Sequence, residues 1–205
     1  MEPDADILAV LTPENLLAAY ARGVFPMVQD GKLMWFSPRV RGLLPLDDRF
    51  HVSRRLARTI RSGRFACTID LRFDDVVALC ADRPRGEGTW ISPEMRIAYG
   101  RLHELHLAHS VEAWPRGSVG EGRPVGGLYG VVIGGAFFGE SMFHTVSDAG
   151  KVALVHCVEH LRSRRFVLFD IQWTTDNLTQ YGAYELPRKE YLRQLRDAIR
   201  TQCTF

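Results

Sequence analysis

The segment from residue 125 to residue 172 constrains the fold of this chain most, because its hydrophobic pattern changes from strand to helix and back to strand. Residues 125–138 are typical of a β-hairpin, with a pair of glycines favouring a tight turn. Residues 151–161 have helical spacing, and residues 166–172 form a nearly continuous apolar strand. A hairpin, a helix and a buried strand in this order predict an α+β fold with mixed α/β layers.

The N-terminal part of the chain is organised differently and predicts a small separate unit. Thr12 is placed to cap a helix that begins with Pro13. An irregular, aromatic-rich stretch follows, and residues 42–46 form a short apolar run that is typical of an edge strand. We therefore predict a small N-terminal domain over residues 1–48 and a larger domain over residues 49–205.

The overall composition is that of a globular protein, with 46% hydrophobic residues and a formal net charge of +2. The N-terminus is acidic where a signal peptide is basic, and no apolar run approaches the ~20 residues that span a bilayer. The four cysteines have neither a CxxC spacing nor a regular framework, which fits reduced thiols. We therefore expect a cytoplasmic protein, and neither export nor a membrane anchor.

An arginine-rich helix is predicted to begin near Ser53. Residues 49–64 contain six arginines and no acidic residue. Arg54, Arg58 and Arg61 are spaced so that they share one helical face, where like charges repel. This face is either a solvated surface whose arginine stems cover apolar groups or a stripe that binds phosphates, and the second interpretation predicts contact with RNA.

Polar side chains interrupt two apolar segments of the larger domain. Glu140 lies in the aromatic segment from Phe137 to Phe143, and Asp170 and Gln172 lie in the strand that ends the region described above. A buried carboxylate is costly unless a partner compensates it, so such positions are usually functional. Asp170 and Gln172 alternate along the strand, and regular alternation predicts that both side chains face the same cleft.

Six segments of the chain match a known family in sequence and in order. They are residues 17–26 (LAAYARGVFP), 88–91 (GTWI), 108–112 (AHSVE), 125–130 (VGGLYG), 138–143 (FGESMF) and 170–172 (DIQ). On these motifs the chain resembles the bacterial leucyl/phenylalanyl-tRNA–protein transferases over roughly residues 11 to 192. The combination is specific, although each segment alone is weak.

The resemblance implies a small N-terminal domain followed by an acetyltransferase-like (GNAT-type) domain. It also implies an enzyme that moves Leu or Phe from Leu-tRNA or Phe-tRNA to a protein beginning with Arg or Lys, forming a peptide bond and marking that protein for degradation. A coenzyme A donor would need a glycine-rich loop at a helix start, and residues 143–150 lack it. We therefore expect no coenzyme A donor and no other cofactor, and we expect no metal either. A monomer is favoured, but the oligomeric state, the natural substrates and the preference among Leu, Phe and Met stay open.

The resemblance also suggests roles for single residues on the donor side. Trp90 would contact the terminal adenosine of the tRNA, since an indole packs well on a base, and the alternative is a core tryptophan. Leu128 would line the pocket for the Leu or Phe side chain, although alone it would be read as an ordinary core residue. Many relatives carry Trp where this chain has Met27, so Met27, Trp35 or Phe36 could complete the adenosine site.

On the acceptor side, Asp170 and Gln172 serve the attacking amine in the family. Chemically, the Gln172 amide oxygen can accept a hydrogen bond from the amine while Asp170 orients that amide. Glu140 is our candidate for binding the cationic acceptor N-terminus through charge-assisted hydrogen bonds. Its motif neighbours Ser141 and Met142 are expected at the same substrate site.

Two other functions compete with this interpretation. His156, Glu159 and His160 match the H-x-x-E-H pattern of a class of zinc peptidases, which needs a third metal ligand. A non-catalytic RNA-binding module that uses the arginine-rich helix is the second alternative, and it would bind tRNA whether or not the tRNA is aminoacylated.

Overall fold

The structure is a computed structural model that describes residues 10–82 and 89–205. These residues contain both helices and strands. In chain order they are α1 (Pro13–Ala21), β1 (Phe25–Gln29), β2 (Lys32–Phe36), β3 (Val40–Leu44), α2 (Arg54–Arg61), β4 (Phe65–Ile69), α3 (Phe73–Ala81), α4 (Pro93–Glu104), β5 (Ala108–Pro115), β6 (Gly126–Ile133), β7 (Ala136–His144), α5 (Ala149–Ser163), β8 (Leu168–Gln172), α6 (Asp176–Thr179), β9 (Tyr184–Pro187) and α7 (Arg188–Ala198).

A seven-stranded mixed sheet organises the fold, with the strand order β4-β5-β6-β7-β8-β3-β9. Its neighbouring strands pair antiparallel except for β7 and β8, which are parallel. The strands β1 and β2 form a separate antiparallel hairpin. The predicted α+β fold with mixed layers is confirmed, whereas the hairpin occupies a stretch for which the sequence predicted irregular structure.

The two parallel strands of the sheet pair over only part of their length. The paired positions run from Ala136 opposite Leu168 to Phe138 opposite Asp170. Beyond them β7 continues for six residues to His144, still paired with β6. The strands β7 and β8 therefore separate at the level of Phe138 and Asp170, and the residues that follow on both strands border the resulting gap.

Helices cover both faces of the sheet and bury two hydrophobic cores. Residues of α1, α3, α4 and α7 form the first core, and residues of α2 and α5 lie in the second. Every residue of β5 from Ala108 to Trp114 is consequently buried. The alternating pattern of residues 110–114 predicts a strand, which is confirmed, but helices pack against β5 from both sides, so its polar residues Ser110 and Glu112 are buried as well.

The strand β3 lies inside the large sheet, between β8 and β9. The sequence predicted an edge strand at this position. That prediction is wrong because β9 has only four residues, too few for a clear strand signal, and it pairs along the free side of β3. The predicted boundary between residues 48 and 49 separates β3 from both strands with which it pairs.

Helix starts follow the predicted capping residues closely. Thr12 accepts a hydrogen bond from the backbone N–H of Asn15 at the start of α1, and Ser53 accepts one from Leu56 at the start of α2. Helical spacing over residues 93–107 predicts that Leu105 faces the core, which is wrong because Leu105 is 55% exposed. It lies at the C-cap, one residue after the helix ends, so the helical period no longer sets its direction.

Candidate active site where two parallel strands separate

A cavity of about 490 Å³ lies in the gap between β7 and β8. Its wall also includes residues of β1, β6 and α6 and the segment before α4. Six residues predicted for the substrate site line it together, namely Trp90, Leu128, Glu140, Ser141, Met142 and Gln172. Asp170 and the three arginines of α2 do not line it.

Glu140 forms the polar end of this cavity. Its Oε2 accepts a hydrogen bond of 2.8 Å from the hydroxyl of Tyr99, which is itself 2.8 Å from the hydroxyl of Tyr20. Burial raises the pKa of Glu140 to about 7, although the two tyrosine hydroxyls act in the opposite direction. Burial also raises the pKa values of both tyrosines well above their usual value, so both remain hydrogen-bond donors at neutral pH.

Gln172 ends β8 beside Glu140 in an unusual backbone conformation. Its φ is 58°, in the left-handed region that residues other than glycine seldom occupy. The N–H of Trp173 donates to the carbonyl of Ile171 at 2.6 Å, which closes a γ-turn centred on Gln172. The side-chain amide reaches into the cavity, where Nε2 lies 3.4 Å from Oε1 of Glu140.

Asp170 lies behind the cavity wall and is fully buried. Its carboxylate accepts hydrogen bonds from Nε and Nη2 of Arg41 at 2.8 and 2.7 Å, and from the hydroxyl of Tyr191 at 2.6 Å. The Arg41 guanidinium lies between the rings of Phe25 and Tyr191, 4.5 and 4.7 Å from their centroids. Asp170 is therefore one partner of a buried ion pair.

The prediction that Asp170 and Gln172 point into one cleft is wrong. The pairing of β8 with β3 shifts register at this point, because Gly42 lies opposite Gln172 while Leu43 lies opposite Asp170. This bulge and the positive φ of Gln172 break the regular alternation. Asp170 consequently binds the backbone N–H of Gln172 at 2.9 Å instead of orienting the side-chain amide.

The remaining wall of the cavity is mainly apolar. Leu128 is 3% exposed on β6 and lies opposite Met142 of β7. Trp90 is joined to the N-terminal hairpin, since its carbonyl accepts a hydrogen bond from the N–H of Val28. Of the three residues considered for an adenosine site, Met27 lines the cavity, whereas Trp35 and Phe36 are not among its lining residues.

Some residues around the cavity were missed by sequence reasoning. Trp173 is 41% exposed at the cavity, with its ring packed edge-on at 5.0 Å from Phe25. Its position directly after the polar pair of β8 was an available signal. Arg41, Tyr99 and Tyr191 had no such signal, because each meets the site only through the tertiary fold.

The arginine-rich helix α2 is exposed on the surface, away from the cavity. Arg54, Arg58 and Arg61 are exposed, and none of them has an ion pair or hydrogen-bond partner among the residues that the structure describes. Arg55 differs from them because its guanidinium binds both carboxylate oxygens of Asp148. The predicted stripe of three unpaired arginines therefore exists, and its role in binding RNA stays a prediction.

The zinc-peptidase alternative does not gain a third ligand in the structure. Within residues 10–82 and 89–205, no three His, Cys, Asp or Glu side chains come together in a group that could hold a metal ion. The ring of His160 packs 4.6 Å from that of Phe205, while His156 and Glu159 line a separate cavity of about 150 Å³.

Among residues 10–82 and 89–205, no helix is long and apolar enough to span a membrane.

The mixed α+β fold and a cavity that joins an apolar wall to a carboxylate and an amide define a candidate acyl-transferring enzyme. A family model described as leucyl/phenylalanyl-tRNA protein transferase matches residues 43–196, and the model of its N-terminal domain matches residues 9–39. The chain therefore belongs to the leucyl/phenylalanyl-tRNA protein transferase family. It is an aminoacyltransferase and not a non-catalytic RNA-binding module.

Curated relatives agree with this assignment over nearly the whole chain. The leucyl/phenylalanyl-tRNA–protein transferase of Akkermansia muciniphila is 47% identical over 194 residues, covering 94% of this chain and 98% of its own length. That of Nitratidesulfovibrio vulgaris is 52% identical over 193 residues, covering 93% and 80%. Among solved structures, L-PGS from Bacillus licheniformis has a TM-score of 0.46 and 15% identity over 80% of this chain and 60% of that one, a likeness too weak for argument.

Proposed function

We propose that the protein transfers Leu or Phe from Leu-tRNA or Phe-tRNA to the α-amine of proteins that begin with Arg or Lys. One observation carries the proposal: the apolar wall at Leu128, the carboxyl of Glu140 and the amide of Gln172 meet in a single cavity of about 490 Å³. Such a cavity can hold an apolar aminoacyl group next to a cationic acceptor. The names of the relatives supply the two amino acids and the tRNA.

On the donor side, the proposal assigns the apolar wall to the side chain of the transferred amino acid. A pocket of this kind selects by size and shape, at about 1–3 kcal/mol for each methylene group. Trp90 and Met27, which line the same cavity, would contact the terminal adenosine. The exposed arginines 54, 58 and 61 would bind tRNA phosphates, for which unpaired guanidinium groups are well suited.

On the acceptor side, the proposal assigns the charge of the Arg or Lys N-terminal residue to Glu140. With a pKa of about 7, this carboxyl is only partly ionised in the free protein at neutral pH. A cation that enters the cavity favours the ionised form and forms charge-assisted hydrogen bonds with it. Acceptors with uncharged first side chains lack this interaction.

The reaction needs little more than positioning, because an aminoacyl ester is already activated. The neutral α-amine attacks the ester carbonyl, a C–N bond forms, and the C–O bond to the ribose breaks. The amine proton is finally taken up by the released ribose hydroxyl. The reference pKa of an α-amine is about 7.7–8.0, so a useful fraction is neutral without a strong base. Gln172 would accept a hydrogen bond from the amine through its amide oxygen while its Nε2 faces Glu140.

Two other parts of the proposal rest on the family resemblance, namely the marking of acceptors for degradation and a GNAT-type topology of the larger domain. We also propose a cytoplasmic location, which the spacing of the cysteines supports, and a monomeric state. The partial pairing of β7 with β8 supports a topology in which two parallel strands diverge around the substrates. The division into a small and a larger domain is also part of the proposal. In this division, β3 belongs to the larger domain, because it lies in the seven-stranded sheet.

The direct test is transfer of labelled Leu from Leu-tRNA to a model protein with an N-terminal Arg. An otherwise identical protein that begins with Ala is the control. We expect label on the Arg protein and little on the Ala protein. Equal labelling of both would overturn the proposed acceptor specificity, and no labelling of either would overturn the proposed reaction.

A further inference from the structure

Gln172 occupies a strained conformation that something else in the fold must maintain. A γ-turn with positive φ at its centre is rare, and a glutamine side chain does nothing to relieve the strain. Strain of this kind persists only where surrounding contacts over-determine the backbone. The turn also decides where the Gln172 amide lies, because a regular strand would direct the side chain elsewhere.

The first set of contacts that maintains the turn runs through Asp170. Its Oδ1 holds the N–H of Gln172 at 2.9 Å, and the same carboxylate is held by Arg41 and Tyr191. Arg41 also donates to the carbonyl of Gly23 at 3.0 Å. Arg41 of β3 and Tyr191 of α7 thus meet at the carboxylate that holds the N–H of Gln172. The guanidinium supplies the charge that lets the carboxylate remain buried.

The second contact that maintains the turn is the close approach of the Gly42 backbone to the peptide between Trp173 and Thr174. A Cβ at this position would lie 2.6 Å from the carbonyl carbon of Trp173 and 2.7 Å from the nitrogen of Thr174. These two atoms belong to the peptide that directly follows the γ-turn. Only glycine therefore lets β3 approach the turn this closely.

We propose that Arg41, Gly42 and Tyr191 are positioning residues for aminoacyl transfer. They hold the backbone of Gln172 in its γ-turn, through Asp170 and through the peptide between residues 173 and 174, and thereby aim the Gln172 amide into the cavity. This inference rests on the proposed function, in which that amide contacts the acceptor amine.

The mildest test is Tyr191→Phe, which removes one hydroxyl and keeps the ring that covers Arg41. Tyr181→Phe is a matched control, since Tyr181 is also buried, lies outside the cavity wall, and its hydroxyl has no hydrogen-bond partner among the described residues. We expect Tyr191→Phe to lower kcat on the order of 10-fold at unchanged KM for both substrates. Tyr181→Phe should leave kcat unchanged.

The second variant, Gly42→Ala, tests the other contact. Its Cβ requires the peptide after the γ-turn to move by roughly 1 Å, which is enough to reduce turnover on the order of 10-fold to 100-fold. Gly100→Ala is the control, because the nearest atom to its Cβ is Oδ1 of Asp74 at an ordinary 3.8 Å. It should leave transfer unchanged.

Coupling to Gln172 separates positioning from a general effect on folding. Gln172→Gly accepts the positive φ without strain and has no amide to position. In this background, Tyr191→Phe and Gly42→Ala should cause no further loss of the residual single-turnover rate. If each variant reduces the rate equally with and without Gln172, the inference is overturned.

A readout that does not depend on activity keeps the inference separate from the proposed function. In a protein of 23.2 kDa, the side-chain amide signals of Gln172 can be followed in a ¹H–¹⁵N spectrum. They should shift in Tyr191→Phe and Gly42→Ala but not in either control. Unshifted signals would overturn the inference. Shifted signals in a protein that transfers no Leu would instead overturn only the proposed function.

Discussion

Replacement of Glu140 by Gln should change how the stability of the protein depends on pH. The carboxyl of Glu140 lies beside Tyr99 and Gln172 in the cavity, and its burial raises its pKa from 4.5 to about 7. The variant keeps the shape of the side chain and cannot ionise. Any difference between parent and variant that varies with pH therefore reports the ionisation of this one group.

The sign and size of the effect follow from the raised pKa. Below pH 4.5 the Glu140 carboxyl is protonated in both folded and unfolded chains and contributes no pH dependence. Between pH 4.5 and about 7 the unfolded chain releases a proton that the folded chain keeps, so the stability of the parent falls as pH rises. The complete loss is about 3 kcal/mol, at about 1.4 kcal/mol for each tenfold change in acidity.

Denaturant unfolding of both proteins between pH 4 and pH 8.5 measures this effect. We expect the unfolding free energy of Glu140→Gln, relative to the parent, to rise by about 3 kcal/mol across this range. Glu104→Gln, at an exposed position of α4, is the control and should show no comparable rise. A constant difference between parent and Glu140→Gln at all pH values would refute the reasoning.

Two further predictions concern the tRNA. Replacing Arg54, Arg58 and Arg61 together by Gln should weaken tRNA binding. The slope of log affinity against log salt concentration, measured by titration at several salt concentrations, should become shallower by about 0.7–0.9 for each lost phosphate contact. An unchanged slope would show that these arginines do not bind phosphates. Leu128→Trp should fill the apolar part of the cavity and strongly impair Phe transfer, while binding of uncharged tRNA is largely kept. A transfer assay and a tRNA-binding assay measure the two effects. Normal Phe transfer would remove Leu128 from the pocket.

A matched variant controls the arginine replacement for charge alone. Arg193, Arg196 and Arg200 are three other exposed arginines, on and just after α7. Replacing them by Gln removes the same net charge from a different surface. A similar loss of tRNA affinity in both triple variants would indicate a non-specific effect of net charge instead of a binding stripe.

Part of the candidate site was predictable because local chemistry marks its polar residues. Glu140 and Gln172 are polar residues in apolar strands, and both line the cavity together with Leu128 and Trp90. Helix capping at Thr12, the arginine-rich helical face and the hydrophobic periods predicted α1, α2, α5 and the central hairpin. Local patterns therefore marked Glu140 and Gln172, whereas Leu128 and Trp90 were named only through the family resemblance.

The arrangement behind the cavity was not predictable for two physical reasons. A β-bulge and one positive φ reverse the alternation on which the orientation of Asp170 was inferred, and neither has a local sequence signal. The partners of Asp170 are also remote, since Arg41 and Tyr191 are 129 and 21 residues away in sequence. A buried ion pair of this kind is assembled by the fold and is visible only in three dimensions.

The most direct test of the account is a crystal structure with a non-hydrolysable amide analogue of phenylalanyl-adenosine. We expect the phenyl ring to lie against Leu128 in the cavity of about 490 Å³, with the amide carbonyl next to Gln172 and the adenine near Trp90. Binding of the analogue elsewhere, for example in the smaller cavity beside His156 and Glu159 or along α2, would contradict the assignment of this cavity as the active site.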